Sequence, residues 1–430
     1  MYDVAAESMS PDERHAVQGH RLRELIDRLL TAGGLQGQRL REAGVDNGGA
    51  VGLRDLHALP TTSKRDLWDA YPFGLLAVPR EDVLAVHGSS GTGGRPTLVG
   101  YTRNDLDLWG EMVARSLGCA GIAAGDVVHN AYGYGLFTGG MGFHLGGIKL
   151  GATVIPVSGG MTSRQLTLIE DLKPKVLTCT PSYAVTLGET AQREGRDLSS
   201  LRAGIFGAEP WTESLRAQIE ALLPLKALDV YGLSEVIGPG VATECLEAQS
   251  GLHVNEDHFI VESIDVETGE PVPDGQPGEL VFTTVTKEAL PLLRYRTGDI
   301  ASLTRGRCHC GRTLVRMGKV LGRRDDMLVV RGVNVYPSEV EAVVLERAEL
   351  TPHYLLVVDE REPVPELVVC CESDQPDTVP QQEIVHELHE RLGLRARVAP
   401  YAVGTLPRTE VGKAVRVVRW RDGAPPVPGL

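Results

Sequence analysis

Near the start of the chain, in HRLRELIDRLLTAGG, the apolar residues Leu22, Leu25, Ile26 and Leu29 fall at i, i+3, i+4 and i+7. That spacing predicts one face of an α-helix, closed by Gly33 and Gly34. From about residue 80 to residue 300, short apolar runs alternate with helical patterns. KVLTCT (Lys175–Thr180) and AGIFGA (Ala203–Ala208) read as buried strands, and SLRAQIEALL (Ser214–Leu223) as a helix. The rhythm is that of layered α/β structure. IVESIDVETGEPVPDGQPGELVFTTV, residues 260–285, breaks it with two alternating strands around a turn rich in Pro, Gly and Asp. An antiparallel pair is expected there. GRRDD (Gly322–Asp326) is a dense polar stretch and a candidate domain boundary. Beyond it the pattern gives a strand (Met327–Val330), a helix on PSEVEAVVLER with Pro337 near its start, and strands at Tyr354–Val358 and Leu367–Cys371. A helix on QQEIVHELHERLG and a last strand complete a small α+β unit.

A length of 430 residues fits two or three domains, and 42% hydrophobic with 23% charged residues is an ordinary globular composition. Aromatics make up only 5%, so Leu, Val and Ala must fill most of the core. The formal charge of −14 argues against nucleic acid or an anionic membrane as a partner, and an anionic ligand would need a local basic site. No run approaches the ~18 apolar residues of a spanning helix. The polar, acidic MYDVAAESMSPDERHAVQ does not resemble a signal peptide, and seven cysteines, an odd number, suit a reduced compartment. A cytoplasmic location is the expectation.

VHGSSGTGGRPTLVGYT (Val86–Thr102) carries one charge and almost no large side chains in its first half. Such a run exposes backbone N–H groups that bind anions, phosphate above all; a flexible linker is the bland alternative. The phosphate-loop pattern G-x-x-x-x-G-K-[ST] fails, because Gly94 and Arg95 follow Gly93, and G-x-G-x-x-G fails at Pro96. Four further stretches carry possible chemistry. DVYGLSEVIGPG (Asp229–Gly240) offers a Tyr to stack on a base and a carboxylate, Glu235, for Mg²⁺. LRYRTGD (Leu293–Asp299) ends in an Asp suited to two ribose hydroxyls. GRRDDMLVVRGVNVYPSEVE follows, and LPRTEVGKAVRV (Leu406–Val417) sets Lys413 behind a Gly. Taken singly, each is better read as a strand end, a surface pair or a solvated turn.

In this order and at these separations the five stretches resemble the adenylate-forming superfamily of acyl-CoA synthetases, and most nearly the phenylacetate–coenzyme A ligases. The resemblance runs from LPTTSKRDLWDAYPFGLL (Leu59–Leu76) to LPRTEVGK and includes AYGYGLFTGG (Ala131–Gly140) and GAEPWTE (Gly207–Glu213). The loop departs from the usual S-S-G-T-T-G-K-P-T at Gly93 and Arg95. Arg keeps the charge, and Gly93 loses a hydroxyl toward the leaving pyrophosphate.

The resemblance implies an α/β N-terminal domain, residues 1–322, of layered subdomains with a small β-barrel-like antiparallel part. A small mobile α+β C-terminal domain, residues 323–430, would carry the catalytic lysine. It implies ATP, Mg²⁺ and coenzyme A, a small aromatic, arylacetate-like acid, and release of AMP and pyrophosphate. Ser89, Ser90, Gly91 and Thr92 would hold the β- and γ-phosphates. Glu209 and Tyr231 would flank the adenine, with Gly207, Ala208, Asp229, Gly232 and Ser234 in the same ATP site. Glu235 would bind Mg²⁺, Asp299 would take the ribose hydroxyls beside Arg323, Lys413 would bridge carboxylate and α-phosphate, and Asp325 would be the hinge. Tyr134 and Phe137 would line the acyl pocket. The alternatives are transfer to a carrier-protein phosphopantetheine, a non-catalytic nucleotide-binding protein, and a kinase, which the missing loop Lys disfavours. A homodimer is left open.

CHCGR sets Cys308 and Cys310 one residue apart, and Cys245 lies eight residues before His253. Structural zinc more often uses C-x₂-C, so spacing alone favours unligated thiols. Both clusters, however, sit in polar, Gly-containing segments, and the resemblance places thiols here in members with a structural zinc. Convergence of the four would make a closed Cys₃His site that stabilises without catalysing.

Overall fold

The computed structural model describes residues 1–89, 96–324, 328–330, 333–361, 365–408 and 414–430. They group into two compact units: 1–179, 198–208 and 225–319 in one, and 180–197, 209–224 and 320–430 in the other.

The first unit is built on one long sheet. Strands Val127–Asn130, Thr153–Pro156, Val176–Cys179, Ala203–Gly207 and Lys226–Leu233 are parallel. KVLTCT and AGIFGA supply two of them, and Val176–Cys179 and Ala203–Gly207 are fully buried, consistent with the unbroken apolar runs of a sheet covered on both faces. From Lys226–Leu233 onward the sheet turns antiparallel, through Gly238–Thr243, Leu252–Val254, Arg316–Met317, Tyr295–Thr304, Pro277–Thr284 and Phe259–Ile264. The expected antiparallel pair is present, with Ser263 opposite Leu280. These strands continue the same sheet; among the described residues no closed barrel forms.

The first helical pattern spans Pro11–Ala32. It starts at a capping box of Ser10 and Glu13, with Pro11 at N1, and ends at Gly33. Its apolar face packs Leu22, Leu25, Ile26 and Leu29 against Leu40, Ile260, Val285 and Leu293. Each such burial contributes about 1.5–3 kcal/mol relative to exposure. Helices Arg103–Cys119 and Thr138–Leu150 pack together so closely that a Cβ on Gly146 would lie 2.5 Å from Val113 Cβ. The glycine run of the second helix therefore serves backbone approach.

The second unit holds a sheet in the order Ala396–Ala402, Glu366–Ser373, Tyr354–Asp359 and Val417–Trp420, with helices Pro337–Leu345 and Gln381–Leu392. Helices Pro181–Glu194 and Glu213–Leu222 group with it. Cys370 and Cys371 are fully buried on its strands. No described helix is long and apolar enough to cross a membrane.

Candidate active site

In an open α/β sheet, ligands gather beyond the carboxyl ends of the parallel strands. Strands Ala203–Gly207 and Lys226–Leu233 run side by side, Gly207 opposite Val230, and so bring two of the predicted motifs to one edge. A Cβ on Gly207 would meet the Val230 carbonyl oxygen at 2.2 Å, so only glycine fits. Ala208 follows with φ of 72°, a left-handed conformation costly for a residue with a Cβ. The next strand carries Asp229, whose N–H donates to Glu244 Oε2 at 2.8 Å, then Tyr231, Gly232, Ser234 and Glu235.

Two carboxylates are drawn to this edge. The Tyr231 hydroxyl donates to Asp299 Oδ2 at 2.6 Å, and the Asp299 N–H donates to Thr297 Oγ1 at 3.0 Å. Tyr231 also stacks on Phe282, centroids 5.9 Å apart. The Ser89 hydroxyl, at the end of strand Ala85–Ser89, donates to Glu235 Oε1 at 2.8 Å. Among the described residues Oε2 of Glu235 accepts no hydrogen bond, and a carboxylate oxygen so placed is a fitting donor for Mg²⁺. Ser234 Oγ lies 3.1 Å from Thr138 Oγ1 and 3.3 Å from the Gly88 carbonyl, which ties the Glu235 turn to the Gly-Ser stretch.

Tyr134 is half-buried. Its oxygen takes a hydrogen bond from Asn130 Nδ2 at 2.8 Å and lies 3.2 Å from His144 Nδ1, the two rings meeting edge to face. Burial pushes its hydroxyl up to about 12. Phe137, at the N-cap of helix Thr138–Leu150, is 56% exposed. Asn130 and His144 went unnoticed in the sequence, because a strand-end Asn and a mid-helix His carry no pattern of their own.

In the second unit Glu209 accepts from the N–H groups of Ser182 and Ala414, both at 2.8 Å. Ala414 is the residue after Lys413. Arg323 lies on the short strand Gly322–Arg323. Ser90, Gly91, Thr92, Asp325 and Lys413 lie outside the described residues.

The four candidate metal ligands come together. The facing atoms of Cys245, His253, Cys308 and Cys310 all lie within 4.8 Å of one another. Cys245 Sγ is 3.8 Å from Cys308 Sγ, and Cys310 Sγ is 3.6 Å from His253 Nε2. A tetrahedral zinc with Zn–S of about 2.3 Å and Zn–N of about 2.0–2.1 Å requires edges of about 3.8 Å and about 3.6 Å. Burial pushes the Cys310 thiol up, but hydrogen bonds with His253 and Arg312 outweigh it and bring it down to about 5, favouring the thiolate. The donor set fits zinc.

Comparison with known proteins agrees with this geometry. The family of AMP-binding enzymes matches residues 39–286, and the AMP-binding enzyme C-terminal domain matches residues 332–421. Phenylacetate-coenzyme A ligase of Thermus thermophilus is 49% identical over 98% of this chain and 100% of its own length. The enzyme of that name from Escherichia coli is 46% identical over 97% of each. A crystal structure of 2-hydroxyisobutyryl-CoA ligase in its postadenylation state is 27% identical, with a TM-score of 0.89 over 96% of this chain and 91% of its own. With both family domains matched, and with two carboxylates at the carboxyl edge of its parallel strands, the chain belongs to the adenylate-forming, AMP-binding enzyme family.

Proposed function

We propose that the protein is an ATP-dependent acid–thiol ligase that activates a small aryl acid of the phenylacetate type and transfers the acyl group to coenzyme A. The observation that carries this reading is the near-half identity, over almost the whole chain, to relatives named phenylacetate-coenzyme A ligase. In the first step a carboxylate oxygen attacks the α-phosphorus of ATP and pyrophosphate leaves. In the second the thiol sulfur attacks the acyl carbon and AMP leaves. Both steps build negative charge on oxygen, so fixed donors and cations supply most of the acceleration.

The residues divide the work as follows. Asp299, oriented by Tyr231, accepts the ribose hydroxyls beside Arg323. Tyr231 and Glu209 flank the adenine, with Gly207, Ala208, Asp229, Gly232 and Ser234 shaping its slot. Ser89, Ser90, Gly91 and Thr92 hold the outer phosphates. Glu235 would hold Mg²⁺, which when bound would neutralise phosphate charge. Lys413 bridges the carboxylate and the α-phosphate. It is carried by a C-terminal domain, 323–430, that moves about Asp325 against residues 1–322, so that one site serves two reactions. Tyr134 and Phe137 line the acyl slot, where a flat ring gains edge-to-face contact. We further assign a structural Zn²⁺ to Cys245, His253, Cys308 and Cys310, clamping the turn Cys308–Arg312 to the strands around His253.

A panel of acids in a pyrophosphate-release assay, each run with and without coenzyme A, tests the substrate class. Arylacetates should show the highest kcat/KM, and fatty acids of eight or more carbons should be poor. A medium-chain acid at the head of the panel would overturn the aryl assignment.

A further inference from the structure

Beneath the Glu235 turn lies a charge that the reaction scheme above does not use. Lys287 is only 3% exposed. Its Nζ donates to the Glu235 main-chain carbonyl at 3.1 Å and sits 5.1 Å from the centroid of the Tyr101 ring. The Tyr101 hydroxyl donates to the Ile237 carbonyl at 2.9 Å. The turn that presents Glu235 is thus held from inside at two points, residues 235 and 237.

The lysine is itself anchored on its C-terminal side. Asp105, fully buried, accepts from the N–H of Glu288 at 2.7 Å and of Ala289 at 2.9 Å. Glu288 Oε2 takes a further hydrogen bond from Thr102 Oγ1 at 3.0 Å. The segment that follows Lys287 cannot slide without breaking these bonds. An ammonium in such a place is costly to desolvate, and an apolar side chain of similar length would fill the space without that cost. What the ammonium supplies, and a thioether does not, is a donor to the Glu235 carbonyl and a fixed positive charge under the Glu235 carboxylate.

We propose that Lys287 is a positioning residue for the adenylation step: it sets the backbone and orientation of Glu235, and through Glu235 the handling of metal-bound ATP. The inference rests on the ligase reading and on the assignment of Glu235 to Mg²⁺. Because pyrophosphate has left before the thiol attacks, the effect belongs to the first half-reaction.

The experiment compares the full-length protein with Lys287→Met in two assays. One is phenylacetate-dependent ATP–pyrophosphate exchange across a Mg²⁺ titration; the other is thioester formation from supplied phenylacetyl-adenylate and coenzyme A. The expected result is a fall in exchange of ten- to a hundredfold, with a Mg²⁺ requirement raised about tenfold, and thioester formation within twofold of wild type. A variant that loses both half-reactions in proportion, or neither, overturns the proposal. If Lys287→Met does not fold, Lys287→Gln, which keeps a donor for the Glu235 carbonyl but no charge, must show the same asymmetry. Wild-type exchange with phenylacetate separates the two layers: its presence beside an unaffected variant sinks only the role of Lys287, and its absence for every acid sinks the ligase reading as well.

Discussion

Replacing Cys308 and Cys310 together by Ser should remove the zinc proposed there and destabilise the first unit by an amount the chain path sets. Cys245 and Cys308 are separated by 63 residues, and Cys310 and His253 by 57. A cross-link that closes a loop of that size withdraws entropy from the unfolded chain equivalent to about 4 kcal/mol at 25 °C. At about 2.1 cal/mol/K of unfolding entropy per residue, a unit of this size shifts by about 1.5–2 °C per kcal/mol, so the variant should melt ~6–8 °C lower. Serine is close in size to cysteine and Cys310 is half-buried, but Cys308 is 4% exposed, so the chelator arm on the wild type separates loss of the cross-link from the cost of a buried hydroxyl. The assay pairs metal analysis of protein purified without added zinc with calorimetric scans, with and without a chelator. Chelation of the wild type should reproduce the variant's Tm, because ligand loss and metal loss open the same loop. Less than a tenth of an equivalent of zinc in the wild type, with an unchanged Tm in the variant, would refute the reasoning and leave four close but unligated side chains.

Lys413→Ala should cut adenylation by ~10²–10³, about 3–4 kcal/mol, while thioester formation from supplied acyl-adenylate persists; equal damage to both half-reactions would remove Lys413 from its assigned role. Acid stability should turn on the buried group around Arg115. His258, with Nε2 3.8 Å from Glu111 Oε1, and Arg115 hold Glu111 down to about 2; burial pushes Asp257 up, but His258 and Arg115 outweigh it and bring it to about 2 as well. Carboxyls held below their usual value near ~4 lend stability that is complete above about pH 4 and is lost as the pH falls toward 2. Tm should therefore fall more steeply between pH 4 and pH 2 in the wild type than in Arg115→Met; parallel slopes would show that this cluster does not govern acid unfolding.

What the sequence disclosed was local, and what it withheld was long-range. The helix Pro11–Ala32 ends at Gly33, as its local pattern predicts, while its start at the Ser10–Glu13 capping box lies beyond the apolar repeat that revealed it. The strands and helices after residue 328 were likewise readable from local pattern. The sheet order was not. Arg316–Met317 is a two-residue strand with no pattern of its own, yet it joins Tyr295–Thr304 to Leu252–Val254 and carries the antiparallel strands onward as one sheet. Without that link the same strands read as a separate barrel-like part.

The site divides along the same line. Tyr231, Glu235 and Asp299 stand in short motifs whose chemistry is visible residue by residue, but the bond from Tyr231 to Asp299 spans 68 positions and that from Ser89 to Glu235 spans 146. No spacing rule reaches so far; only the order of the motifs, matched against a family, does. Lys287 stands in no such motif. In FTTVTKEALPLL it is a single charge beside a Glu in an apolar run, and its partner carbonyl is 52 residues away. The glycines of TGGMGFHLGG serve packing: Gly142 and Gly146 let a helix backbone lie against Trp109 and Val113. Glycine in a sequence marks a close approach without saying what approaches, and in this helix it is the neighbouring helix. The groups that hold Glu235 are therefore found by following its buried polar atoms outward, from the carboxylate to Ser89 and from the main-chain carbonyl to Lys287.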